Sequence, residues 1–177
     1  MINRPEKDEF APYYLPYVNA VPEGDIISIL TKQLEDTKLL LKEVTEEQGT
    51  FRYAPGKWSI KEVVGHMTDT ERIMAYRLMS IARGETVSLP GFDESLYVAN
   101  SSFNDQAFEQ LLEHFSVVRE STLVLLQSLN ADAWLRKGLA NNTGVTVRGT
   151  AYIIAGHAMH HCKIIKERYL ESKDFPK

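Results

Sequence analysis

The chain has 177 residues, 44% apolar and 25% charged, which is enough to bury one self-sufficient core without disulfides. Its net charge of −4, with lysines and arginines scattered, offers no basic footprint for nucleic acid, and its single cysteine cannot form an internal disulfide. No segment has the order of a signal peptide and no apolar stretch approaches the ~20 residues that cross a bilayer, so a cytoplasmic protein without a membrane partner is expected.

A leader rich in proline and tyrosine (Pro12, Tyr13, Tyr14, Pro16, Tyr17) precedes the first helical pattern. That pattern runs from about Asp25 to Glu47, with Ile26, Ile29, Leu30, Leu34, Thr37, Leu41 and Val44 on one stripe. The second helix begins at Ser59, where Ser59-Ile-Lys-Glu62 has the form of a capping box, and stops at Gly84. A third starts near Asn104 and carries apolar positions from Phe108 to Leu129, and a fourth opens near Thr146 and carries Tyr152 through Tyr169. No strand pattern stands out. The stretch from Gly84 to Phe103 is about 20 residues, against ~4–6 for an ordinary connection. A link of that length runs the length of a bundle, so the second and third helices are expected to be parallel. The predicted fold is one all-α domain over residues 1–177, an up-down-down-up four-helix bundle.

Three of the five histidines fall in His157-Ala-Met-His-His161. His157 and His161 are four apart on a helix and project from one face, a spacing at which two imidazoles can share a metal ion. A zinc-like ion needs at least three protein ligands, so a third belongs on a facing helix. His66 is the candidate, because it shares the inward face of the second helix with Val63, Thr70 and Ile73. His114, beside Glu113, reads as a surface residue, and His160 is turned about 100° from His161 and reads as a rim group. Three imidazoles with open positions suit Zn²⁺ or Ni²⁺ rather than Mg²⁺ or Ca²⁺. Cys162 also points about 100° from His161, which makes it a poor fourth ligand and leaves the expected site open. The bland reading of a histidine pair at this spacing is structural, and that of Cys162 is a small buried side chain.

Several motifs together resemble the DinB-like (DinB/YfiT-like) superfamily of metal-binding four-helix proteins. They are Gly56-Lys-Trp-Ser-Ile-Lys-Glu-Val-Val-Gly-His66, Asp69-Thr-Glu-Arg72, Tyr76-Arg77, Leu89-Pro-Gly-Phe92 and Gly156-His-Ala-Met-His-His161, in order over most of the chain. The resemblance implies an up-down-down-up bundle and a divalent metal held by His66, His157 and His161. It also implies metal-dependent chemistry on a small-molecule substrate. Relatives include transferases that use low-molecular-weight thiols such as bacillithiol, a mycothiol-dependent maleylpyruvate isomerase, and members labelled metal-dependent hydrolases.

For thiol transfer, an open metal position would lower the thiol pKa, with Arg77 orienting a carboxylate or similar anion. Glu62 and Asp69 are the candidates to orient imidazole N–H groups, and the alternative for all three is a surface charge or salt bridge. A hydrolase would instead use metal-bound water with Glu62 or Glu71 as base, although neither lies in an H-E-x-x-H arrangement. A third possibility is a non-catalytic metal- or ligand-binding bundle. Trp58, Phe92 and Tyr97 are candidates for the cavity mouth, with core or loop packing as the alternative, and a homodimer is compatible with a bundle's outer faces.

Overall fold

The computed structural model describes residues 2–177. The chain enters through a 3-10 turn (Pro12–Tyr14) and a short helix α1 (Leu15–Ala20), then α2 (Ile26–Leu41) and α3 (Glu46–Gly49). Next come α4 (Ile60–Ala82), α5 (Glu94–Ala99) and α6 (Phe108–Gln127). A short α7 (Ala131–Leu135) and a hairpin, β1 (Lys137–Ala140) with β2 (Thr143–Thr146), lead into α8 (Val147–Ile164). A π-helical segment, Ile165–Leu170, continues α8.

Side-chain caps set where the helices begin. Asp25 accepts from the Ser28 amide to open α2, and Thr146 accepts from the Gly149 amide to open α8. At α4 the expected capping box is present: the Glu62 amide donates to Ser59 Oγ and the Ser59 amide donates to the Glu62 carboxylate. Gly84, at φ +93°, follows the end of α4 in the left-handed region that favours glycine.

Two apolar clusters reveal the helix directions. One joins Ile26 and Leu30 of α2, Met74, Leu78 and Ile81 of α4, Leu123 and Leu126 of α6, and Val147 and Ala151 of α8. The other joins Leu34 and Leu41, Val63 and Met67, Phe108 and Phe115, and Ala158 from the opposite halves of the same four helices. Each end of the bundle therefore pairs the starts of α2 and α8 with the ends of α4 and α6, or the reverse. The order is up, down, down, up. Helices α4 and α2 each pack against both α6 and α8, so α2 and α4 occupy opposite corners.

The structure corrects the sequence reading in four places. The leader is helical and lies along α8. The first long helix ends at Leu41, and only Glu46–Gly49 is helical beyond it, behind a separate Thr45–Gln48 capping box. The third helix starts at Phe108, with Phe103–Asp105 a separate 3-10 turn. A β-hairpin is present where no strand was expected. Its two-residue turn, Asn141-Asn142, has φ of +50° and +59°, the pattern that asparagine tolerates and that matches strand twist. Two strands of four residues are too short for alternation to register in the sequence.

The hairpin positions the site. The Leu89 amide donates to the Leu139 carbonyl and the Asn141 amide donates to the Leu89 carbonyl, so the crossover is stitched to the hairpin. Gly91 passes so close to that turn that a Cβ there would stand 2.7 Å from Asn141 Oδ1.

Candidate metal centre

His66 in the first third of α4 and His157 and His161 on α8 meet across the groove between the two helices. Nε2 of His157 lies 3.0 Å from Nε2 of His66 and 3.1 Å from Nε2 of His161. Among the described residues, ligand atoms of these three all fall within 4.8 Å of one another. The helices bring the rings together as the spacing predicts: residues 157 and 161 sit one turn apart on α8, and α4 packs directly on that face. His66 and His157 are buried and His161 is half-buried.

Burial keeps the imidazoles neutral. It lowers His66 to about 4 and His161 to about 3. Burial also holds His157 well below the usual histidine range, and the neighbouring His161 and His66 add to the shift. Near neutral pH each ring therefore carries one proton and one lone pair. Thr70 Oγ1 lies 3.5 Å from His66 Nδ1, and an N–H on that nitrogen leaves the Nε2 lone pair aimed at the other two rings. His157 Nε2, about 3 Å from both of the other Nε2 atoms, has a single proton or a single lone pair and cannot make a full hydrogen bond with each. A borderline Lewis acid accepting all three lone pairs fits the donor set, and the Nε2 separations are those of donors sharing an ion at ~2.0–2.1 Å.

The walls are aromatic. Trp58 packs against His66 with ring centroids 4.8 Å apart. Tyr17 of α1 stands edge-on to His157 at 5.7 Å and also meets His160 at 5.2 Å. Tyr17 reaches that position because α8 has Gly156 next to His157: a Cβ there would come 2.1 Å from the Tyr17 carbonyl oxygen. Sequence reasoning missed Tyr17. The tyrosine-rich leader and the glycine before the histidine pair were its only traces.

A cavity of about 340 Å³ opens beside the triad, with His157, Thr70, Tyr14, Tyr17, Asn141 and Arg77 among its lining residues. Phe92 lines it as well and lies beneath Arg77, whose Cζ is 5.7 Å from the ring centroid. Tyr97 packs on Phe92 at 5.4 Å, on the outer side of the crossover.

The acidic candidates are engaged elsewhere. Glu62 takes hydrogen bonds from Arg52 at 2.6 and 3.0 Å and from Asn104 at 2.8 Å, in addition to its capping-box bond. Asp69 accepts from Arg72 at 2.8 Å. Glu71 lies about 140° around α4 from His66 and so faces α6, where Arg119 donates to both its oxygens at 2.8 Å. His160 is exposed at the rim, His114 is exposed on α6, and Cys162 faces α2 with Sγ 3.4 Å from Thr37 Oγ1.

Comparison with known proteins identifies the family and the fold. The family model of the DinB superfamily matches residues 29–165. The chain belongs to the DinB superfamily. Among solved structures it is similar to YfiT from Bacillus subtilis, described as a probable metal-dependent hydrolase with an unusual four-helix bundle topology. The TM-score is 0.73 at 19% identity, over 80% of this chain and 82% of that one. It is also similar to the mycothiol-dependent maleylpyruvate isomerase, at TM-score 0.68 and 12% identity over 90% of this chain and 66% of that one. At these identities the likeness establishes the fold. No curated protein matches the chain in sequence. No helix among the described residues is long and apolar enough to cross a membrane.

Proposed function

We propose that this DinB-superfamily chain is a cytoplasmic metal-dependent enzyme that transfers a low-molecular-weight thiol to a small electrophile. His66, His157 and His161 hold the ion, which from its donor set is Zn²⁺ or Ni²⁺. The observation that carries this reading is the convergence of three imidazole Nε2 atoms beside a 340 Å³ cavity that His157 lines, a size suited to a small molecule. When bound, the ion supplies Lewis acidity that makes a thiol a thiolate at neutral pH. The protein's own contribution is to present three neutral imidazoles, to keep water from them with Trp58 and Tyr17, and to shape the space in which the electrophile meets the thiol.

Hydrolysis is the second reading, supported by the description of YfiT. It asks for a carboxylate base beside the ion. Glu62, Asp69 and Glu71 are bonded to Arg52, Arg72 and Arg119 respectively, which favours a reaction whose nucleophile needs no such base. A homodimer built on an outer helical face is compatible with either chemistry.

Elemental analysis of the purified protein should give about one transition ion per chain, and His161→Ala should abolish stoichiometric retention. Full retention by that variant would overturn the ligand assignment. Mixing metal-loaded protein with a panel of bacterial thiols and monochlorobimane should give metal-dependent conjugation. Turnover of esters or amides without thiol, and no conjugation with any thiol, would transfer the assignment to hydrolysis.

A further inference from the structure

Arg77 is the least satisfied charge in the molecule's interior. Only 4% of the residue is exposed, yet among the described residues no carboxylate comes within 4.0 Å of it. Its Nη2 donates to the Pro90 carbonyl, Nη1 has the Met74 sulfur at 3.7 Å, and the neutral hydroxyl of half-buried Tyr14 lies beside the guanidinium without supplying a charge. Its Nε is buried with no partner at all. A guanidinium has five N–H donors in a planar fork, and burying it without an anion is strongly unfavourable unless something else supplies one. The other buried arginine, Arg119, has its carboxylate.

The position of Arg77 indicates where the missing anion belongs. Residues 66, 70 and 77 recur on one face of α4, so His66, Thr70 and Arg77 lie along one line, and the arginine side chain tilts back toward the helix start and the histidines. Thr70, Arg77 and His157 line the same cavity. Gly91 and Phe92 of the crossover and Asn141 of the hairpin turn also line it, with the Phe92 ring under the guanidinium and the Pro90 carbonyl fixing its orientation. Glu94 also lines the cavity but is exposed at its rim and forms no ion pair with Arg77.

We propose that Arg77 is the anchor for a carboxylate on the substrate, so that the site takes small molecules with an anionic group at one end and the reacting atom at the histidine triad. This rests on the triad being the reactive centre. The Nε–H and the neighbouring Nη–H form the fork that receives two carboxylate oxygens side by side. The ~16 Å rise along α4 between His66 and Arg77, shortened by the backward reach of the arginine, matches an extended chain of several carbons between the two groups.

The test uses full-length protein loaded with Co²⁺, whose thiolate absorption reports binding at the metal, titrated with 6-mercaptohexanoate and with 6-mercaptohexanol. The carboxylate should bind at least ~10-fold more tightly than the alcohol to the wild type. Arg77→Gln should make the two equal while leaving the alcohol's affinity and the Co²⁺ stoichiometry unchanged. Asn141→Asp, at the exposed hairpin turn, places a competing carboxylate in the cavity and should reduce the preference by itself, which keeps the test intact should Arg77→Gln not fold. No preference in the wild type, or a preference that survives both substitutions, overturns the proposal. If the wild type takes up no Co²⁺, the metal reading fails separately. Hexanoate against hexanol, followed by thermal shift, then applies the same criteria to Arg77.

Discussion

At the residue scale the histidines act through their neutrality. Each has a folded pKa below the ~6.5 of an unfolded chain, because burial disfavours the imidazolium. In metal-free protein the unfolded state therefore binds more protons once the pH falls below about 6.5. Their contribution to stability is complete above that pH and is lost as the pH falls through about 4 for His66 and about 3 for His161. Urea midpoints measured from pH 8 to pH 4 should fall steeply in metal-free wild type and less in His66→Gln/His161→Gln, and equal slopes would contradict the assignment. Glu9 adds a later acid limb in both proteins. Burial raises its pKa, but hydrogen bonds from Arg148 and Thr146 outweigh that and hold it at about 2, so its contribution is present above about 4.5 and fades below.

At the element scale, α1 and the hairpin are accessories that turn a bundle groove into a cavity. The seating of α1 depends on one missing methyl group: in Gly156→Ala the new Cβ would meet the Tyr17 carbonyl, which belongs to backbone and cannot rotate away. Overpacking of this kind costs about 1–3 kcal/mol. The variant should melt several degrees lower and hold its metal more weakly, because Tyr17 leaves the edge of His157. Differential scanning calorimetry with a zinc titration checks both effects, and an unchanged zinc affinity would separate α1 from the site. The second accessory, the Asn141-Asn142 hairpin, explains why the Leu-Pro-Gly-Phe run is built as it is. Pro90 offers a carbonyl to Arg77, Gly91 clears the turn, and Phe92 lies beneath the guanidinium.

Across the whole molecule, a polar belt divides the core into its two apolar clusters. Arg119 of α6, fully buried, donates to Glu71 of α4 and, at 2.7 and 3.2 Å, to Gln33 Oε1 and the Leu30 carbonyl of α2. Gln33 passes the link on to the Ala155 carbonyl of α8 at 2.8 Å, so one network joins all four helices. Removing one partner leaves a buried charge alone. Glu71→Leu should therefore cost about 3–5 kcal/mol, whereas Glu71→Leu/Arg119→Met should recover most of that loss. Denaturant unfolding of the two variants measures the difference. A double variant as unstable as the single one would mean that the remainder of the network, through Gln33, needs the charge.

Much of the fold and of the candidate metal centre was legible along the chain because both follow local periodicity. Apolar positions repeating every three or four residues identified the four long helices. The Ser59–Glu62 box marked where α4 begins, and the length of the crossover implied parallel α4 and α6. The four-residue spacing of His157 and His161, with an inward His66, named the triad, whose convergence the structure then displayed. Other features depend on neighbours distant in sequence, which no local spacing encodes. Glu62 carried three sequence readings, helix cap, imidazole partner and hydrolytic base, and only packing placed Arg52 and Asn104 on its carboxylate. Glu71 lies five residues from His66, yet the helical turn directs it to Arg119, 48 positions away. Tyr17 reaches His157 across 140 residues through a glycine contact, and Arg77 is enclosed by a loop and a hairpin that meet only in the folded chain. The sequence by itself determined the four long helices and named the three candidate histidines. Tertiary structure decided which carboxylates were already occupied and which cation, Arg77, was buried without one.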